Sequence, residues 1–387
     1  MAGLSISGIF SSPKKSVLGI DIGASAIKIV QIAKKGGVAV LETYGELALG
    51  PYGEEVVGRS VQLPVETLAE ALRNLLRESS VTTNSCALAI PLSASLVSLV
   101  ELPDIDKSQL AQMIPLEARK YIPVPISEVS LDWWIVPKEQ VDDQVKKISI
   151  EDDQRKAVTM ARKKADPILP SGKVDVLIVA IHNAALHTYQ DIVTRAGLRT
   201  KFFEIEIFSA VRSVLEHGIA PVLVLDMGAA STKLYLVESG VVRDSHLVSR
   251  GSQDITNALA KALGITPSEA ETIKRGEGLN YQVNGESIAK VVPMNLEYIL
   301  SEANQIIAKY QKKFSKVVTH AVLIGGGVLL PGFVEFAKEM LSVDVLAGNP
   351  FGKLDAPAFL GDMLKKTGPE FAVAVGVALR LLQEDVP

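Results

Sequence analysis

The 387-residue chain has one cysteine, Cys86, and five histidines. A lone cysteine excludes an intramolecular disulfide and leaves no thiolate cluster for a metal. Its setting, "SCALAIP", reads as a buried strand and an inert core thiol. His182, His187, His217, His246 and His320 are scattered, and the i, i+5 spacing of the first two puts them on different helix faces, which argues against a metal site. Aromatics are only 5% of a chain that is 48% hydrophobic, so its core is built from Val, Ile, Leu and Ala. Neither sign of charge dominates: the formal balance is -4, with no basic field to attract nucleic acid. The longest aliphatic runs, such as "VLIVAI", fall well short of the roughly 20 residues of a membrane span. In "MAGLSISGIFSSPKKS" the lysines follow the weakly apolar part, the reverse of a signal peptide. The expectation is a soluble chain that reaches a membrane only through partners.

What is present begins with "VLGIDIGASAIKIVQI". Val17–Ile22 reads as a strand, Gly23–Ser25 as a tight turn and Ile27–Ala33 as a returning strand; Val38–Leu49 completes a meander. Asp21 stands at the end of the first strand. Far down the chain "VLVLDMGAASTKLYLV" repeats the pattern, with Asp226 matching Asp21, Gly228 matching Gly23 and Ala229 matching Ala24. One copy is readily a plain hairpin turn. Two in register point to paired halves of one fold whose turns hold phosphate oxygens on backbone N–H groups. The aspartates would then hold Mg²⁺ through water, since a carboxylate repels phosphate directly.

Two further stretches fit such a site. "LIGGGVLLPG" runs from a strand through Gly325, Gly326 and Gly327 to a helix, and backbone so bare can lie against a bulky ligand. In "ITPSEAETIKR" a helix starting at Pro267 sets Glu271 and Lys274 at i, i+3, either as a surface ion pair or as donors and acceptors for ribose hydroxyls.

Between the repeats the pattern is mixed. Pro64–Ser79 reads as a helix, Ser85–Pro91 and Val97–Leu102 as strands, and Asp106–Tyr121 as a helix capped by Asp106 and stopped by "IPVP". "VSLDWWIV" is a strand whose Trp133 and Trp134 point to opposite faces. Lys138–Lys173 is dense in charge and free of aromatics, an insertion of low order. Val174–Ile181 returns as a strand, and Ala184–Ala196 is a helix ended by Gly197.

These motifs resemble the actin/Hsp70/hexokinase ATPase superfamily: "DIGASAIK" its first phosphate loop, "DMGAAST" its second, "GGG" with "LPG" its adenosine motif. More closely, "LGIDIGASAIKIVQI", "LEARKYIPVPISEVSLD", "VLDMGAASTKLYLV" and "GPEFAVAVGVALR" resemble the PilM family of actin-like type IV pilus assembly proteins. The resemblance implies an α/β, two-lobed actin-like fold of duplicated ribonuclease-H-like lobes with an FtsA-type inserted subdomain. It divides the chain into a tail (1–14), a first lobe (15–84), an insert (85–196, with the charged 138–173), a return to the first lobe (197–220), a second lobe (221–368) and a C-terminal helix back on the first lobe (369–387). It implies ATP and Mg as cofactors, held by Asp21, Gly23, Ala24, Ser25, Lys28, Asp226, Gly228, Ala229, Ala230, Ser231, Gly251, Glu271, Lys274 and Gly325–Gly327. It also implies a groove beside the insert, with Leu116, Arg119 and Tyr121, for the N-terminal cytoplasmic peptide of a PilN-like inner-membrane protein. A pilus motor ATPase or other platform component is a further expected partner, in a pilus or a related type II secretion system. Such a protein is cytoplasmic and peripheral to the inner membrane.

The sequence departs from the family where alanines replace glycines after Asp226 and where Gly251 is followed by Ser252. No catalytic base stands out in "EIEIFSAVRSV", where Glu206 and Ser209 are the nearest possibilities. ATP binding with slow or absent hydrolysis is therefore expected. The competing readings are an FtsA-like division filament, which would carry an amphipathic tail that "LLQEDVP" does not resemble, and a small-molecule kinase of the same superfamily.

Overall fold

Apolar residues fill β1 (Ser16–Ile22), and the chain folds back as β2 (Ala26–Lys35) and β3 (Val38–Ala48), all antiparallel. The computed structural model describes residues 16–136, 172–216, 218–283, 286–287 and 293–384; nearly all of the charged stretch 138–173 lies outside them. Two compact units divide the chain, Leu96–Ala180 and the remainder.

In the larger unit β4 (Ser85–Ile90) and β8 (Arg199–Ile205) join β1 in parallel, in the order β3-β2-β1-β4-β8. The second sheet repeats this plan. Its meander is β9 (Val222–Met227), β10 (Thr232–Glu238) and β11 (Val241–Val248), and β14 (His320–Ile324) and β15 (Asp344–Ala347) add in parallel, in the order β11-β10-β9-β14-β15. Three antiparallel strands followed by two parallel ones, twice, is the duplication read from the Asp–Gly repeats.

On the first sheet α1 (Val65–Glu78) buries Ala69, Ala71, Leu72 and Leu75, and α3 (Asn183–Arg195) packs beside it. Cys86 lies in this core, and burial pushes its thiol up to about 11. α4 (Glu206–Val214) links the sheets, with α10 (Ala372–Glu384) across both α4 and β1. Gly376 allows that crossing, since a Cβ there would strike the backbone of Ser209 on α4. Behind the second sheet α5 (Ser252–Leu263), α7 (Pro293–Phe314) and α8 (Phe333–Met340) enclose a core of Leu223, Leu225, Leu259, Ile299, Leu323 and Phe333. α6 (Pro267–Gly276) starts at a reciprocal cap between Thr266 and Glu269. The antiparallel two-residue strands β12 (Gln282–Val283) and β13 (Glu286–Ser287) and the short α9 (Gly361–Thr367) also belong to this unit.

The smaller unit holds α2 (Lys107–Ala118) and a sheet in the order β5-β7-β6, from β5 (Ser95–Pro103), β6 (Val129–Val136) and β7 (Lys173–His182). The span 85–196 read as an insert is longer than this unit: β4 is laddered between β1 and β8, so it and α3 belong with the first sheet. Asp106 caps α2, accepting from the Ser108 and Gln109 N–H groups at 2.9 and 3.1 Å. The α-helix stops at Ala118 rather than Tyr121, and the chain tightens there, the Lys120 and Tyr121 N–H groups donating three residues back to the Glu117 and Ala118 carbonyls at 3.0 Å. Leu110, Ile114 and Ala118 are its buried stripe. Trp133 packs on this core while Trp134 is exposed, the opposition expected of neighbours on a strand.

Candidate functional site

The two Asp–Gly hairpins are built alike to the level of single hydrogen bonds. Asp21 lies directly across the ladder from Lys28, and Asp226 from Lys233. The Gly23 N–H donates to the Ala26 carbonyl at 2.9 Å, and the Gly228 N–H to the Ser231 carbonyl at 3.0 Å. Each bond closes a tight turn whose outer residues face a cavity of about 330 Å³, within the range of small-ligand pockets.

Asp21, Gly23, Ala24, Ser25 and Lys28 line this cavity from the first hairpin. From the second come Asp226, Gly228, Ala229, Ala230 and Ser231. Gly326 and Gly327 form part of the far wall, and Glu271 and Lys274 close one end. Gly251 and Gly325 stand behind the wall. Gly251 caps α5, whose first amides, Ser252 and Gln253 N–H, donate to the Gly228 and Ala229 carbonyls at 2.9 and 3.0 Å and fix the second turn. Gly325 has a φ of 89°, and a Cβ on it would come within 2.5 Å of Asp226 Oδ1 and of the Met227 carbonyl. Its N–H donates to the Pro369 carbonyl at 2.8 Å, tying the glycine run to the segment before α10.

Glu271 and Lys274 are not a surface pair. They are buried, with 2.7 Å between their charges, and Thr256 donates to the same carboxylate oxygen at 2.7 Å. The Lys274 ammonium also donates to Thr256 Oγ1 and to the Ser252 carbonyl. Over the cavity, Arg59 donates to Asn257 Oδ1 at 2.6 Å and the Ser60 N–H to Gln253 Oε1 at 3.2 Å, bridging the two halves of the unit.

Several lining residues were not singled out from the sequence. Glu206, weighed and set aside, begins α4 and is buried at the cavity floor; its Oε1 accepts the Leu92 N–H at 2.7 Å. Lys233 Nζ lies 3.0 Å from Glu206 Oε2 and 3.2 Å from Asp226 Oδ2. A signal for Lys233 existed, since it follows Asp226 at the spacing by which Lys28 follows Asp21. Lys28 turns to Glu46 at 3.3 Å and to Glu370 at 3.9 Å.

Charge is crowded here. Burial raises the Asp21 carboxyl to about 6, with Lys28 pulling the other way and Glu206 adding to the rise. Burial likewise lifts Glu370 to about 7 against the pull of Lys28. Burial works against the Lys233 ammonium, but Asp226 and Glu206 outweigh it and hold its pKa above the ordinary lysine value. Among the described residues no three Asp, Glu, His or Cys side chains converge to grip a metal ion.

Comparisons with known proteins bear on the fold. The family model described as "Type IV pilus assembly protein PilM" matches residues 19–164, and that of "Cell division protein FtsA" matches 223–376. The chain superposes on a chain of a "PilM-PilN type IV pilus biogenesis complex" with a TM-score of 0.76 and 24% identity, covering 96% of this chain and 99% of that one. The chain has the actin-like fold, and it is similar to PilM in its first part and to FtsA in its second. MreB5 of Spiroplasma citri, solved bound to ADP, shares that fold at a TM-score of 0.51 and 10% identity, over 96% of this chain and 97% of the other. The FtsA of Streptococcus pneumoniae is 26% identical over 182 residues, 41% of this chain and 39% of that protein. The chain spans about half the length of most of the curated FtsA relatives it matches.

Of the residues expected to meet a partner, Leu116 and Tyr121 are exposed, at 61% and 43%, and Arg119 is exposed just past the end of α2 in the smaller unit. No described helix is long and apolar enough to cross a membrane.

Proposed function

We propose that this chain is an ATP-binding scaffold of a type IV pilus inner-membrane assembly platform, or of a related type II secretion platform. The observation that carries the reading is the facing of two similarly built Asp–Gly hairpins onto one cavity. Turn amides from both halves, the Lys28 and Lys233 ammoniums and the glycine wall suit a nucleoside triphosphate. The donor set also fits Mg²⁺ in one particular way. With no three-carboxylate cluster, the metal would be carried by phosphate and water, with Asp21 and Asp226 in its outer shell. When bound, it would neutralise phosphate charge.

Turnover is slow or absent in this reading. Glu206 is the carboxylate best placed to orient water, yet one oxygen accepts the Leu92 N–H and the other holds Lys233. A base so fully occupied has little freedom to take a proton. Bound nucleotide would serve to hold the two halves together and set partner affinity. The partner in this reading is a short cytoplasmic peptide of a PilN-like inner-membrane protein, taken up at the exposed end of α2, with a motor ATPase or other platform component as a further contact. The protein would then work in the cytoplasm at the membrane surface. An FtsA-like division role is the second reading, favoured by the FtsA match over 223–376.

The test of the site is thermal. Mg-ATP should raise the melting temperature of the wild type by several degrees, and Asp226→Ala should abolish that rise. An undiminished shift in the variant removes Asp226 from the site. Rapid phosphate release, or ADP formation that depends on added sugar, would replace the scaffold reading with an enzyme.

A further inference from the structure

The two cross-strand lysines occupy equivalent positions and do different things. Lys28 leans toward Glu46 and Glu370, at the side of the cavity. Lys233 instead sits between two carboxylates from separate elements, Asp226 at the end of β9 and Glu206 at the start of α4. All three side chains are largely buried, with 15% of Lys233 and 7% of each acid exposed. Glu206 is pinned from behind by the Leu92 N–H, so it cannot swing away without losing that bond as well.

A buried ammonium bonded to two buried carboxylates is costly to disturb, because each partner left behind is an uncompensated charge. A divalent cation approaching Asp226 meets this ammonium about 3 Å away, where like charges repel strongly in a low-dielectric pocket. Asp21 feels the charges of Asp226, Glu206 and Lys233 but does not converge with the two acids into a metal-holding group of three among the described residues, so it offsets that repulsion only in part.

We propose that Lys233 is the built-in counter-ion of this site: seated between Asp226 and Glu206, it denies both carboxylates to a free divalent cation, so metal enters only in company with phosphate. The final clause rests on the nucleotide reading given above; the first does not. Lys233 is thus a specificity-determining residue that replaces a resident metal with a tethered charge.

The test uses Mn²⁺ alone, without nucleotide, titrated into the full chain while the free ion is followed by electron paramagnetic resonance. Wild type and Lys233→Arg should bind Mn²⁺ weakly. Lys233→Met should bind one equivalent at least tenfold more tightly, and the double variant with Asp226→Asn should lose it. Lys233→Gln, which keeps an N–H donor but no charge, carries the same expectation if the methionine variant does not fold. Wild-type binding as tight as that of the uncharged variants overturns the proposal, as does a folded uncharged variant that gains nothing. Thermal shifts of the wild type with ATP alone, Mg²⁺ alone and both together separate the two readings. No shift with ATP in any form removes the nucleotide site while the Mn²⁺ comparison still decides the role of Lys233; a shift with Mg²⁺ alone removes that role while leaving the nucleotide site standing.

Discussion

Asp21 lies at the cavity floor, and its carboxyl titrates near 6 in the fold against 3.8 ordinarily, because burial disfavours the charged form more than Lys28 restores it. Between those two values the folded chain holds a proton that the unfolded chain has released. The contribution of Asp21 to stability is therefore greatest below 3.8 and falls as the pH rises through 6. Asp21→Asn removes the penalty at neutral pH. The variant should melt about 2 °C or more above wild type at pH 7.5, with the gap closing toward pH 4. A gap that does not change with pH would point to packing rather than charge. That Asp21 ends a strand beside a glycine was legible in the sequence. Its raised titration was not, since it depends first on burial and then on charges such as Glu206 and Asp226, which are remote along the chain and close only in the fold.

At the scale of elements, α4 and α10 are braced through Glu204 at the end of β8. Its carboxylate accepts from both Arg212 terminal nitrogens at 2.7 Å, from Arg380 at 2.9 Å and from Ser209 Oγ at 2.5 Å. Arg212 also donates to the Gly376 carbonyl at 3.1 Å, and Arg380 stacks over the Phe202 ring. This cluster holds together the two helices that connect the halves of the larger unit. Arg212→Met should cost about 2 kcal/mol, because it strips a buried carboxylate of two donors. Adding Glu204→Met should restore part of the loss, an interaction visible in urea midpoints. Simple additivity of the two changes would show that Glu204 is well solvated without Arg212. Strand and helix positions along this part of the chain follow from periodicity. The brace does not, because a glutamate on a strand edge and arginines on two helices look like ordinary surface charges until α10 returns to β1.

For the whole molecule, the proposed functions separate by unit. The cavity proposed for nucleotide is lined entirely by the larger unit, whereas Leu116, Arg119 and Tyr121 belong to the smaller. Leu116→Asp and Tyr121→Ala should each weaken binding of a fluorescent PilN-like N-terminal peptide by about tenfold, the effect of losing a hot-spot contact. Both should keep the full Mg-ATP thermal shift. Undiminished peptide affinity in both variants would take the end of α2 out of the docking surface.

The sequence by itself determined the duplication. Asp21 and Asp226, their glycines and the lysines at matching spacing are local features of a strand, a turn and a returning strand, and local geometry needs only near neighbours along the chain. It also announced the cap at Asp106 and the helix at Pro267, for the same reason. Only the tertiary structure decided which acids share a lysine, that Glu206 belongs to the site and that Glu271 and Lys274 are buried. It also decided that β4 belongs to the first sheet. Those outcomes depend on burial and on distances between segments far apart in the chain, and electrostatic energy is set by those distances rather than by order along the polypeptide.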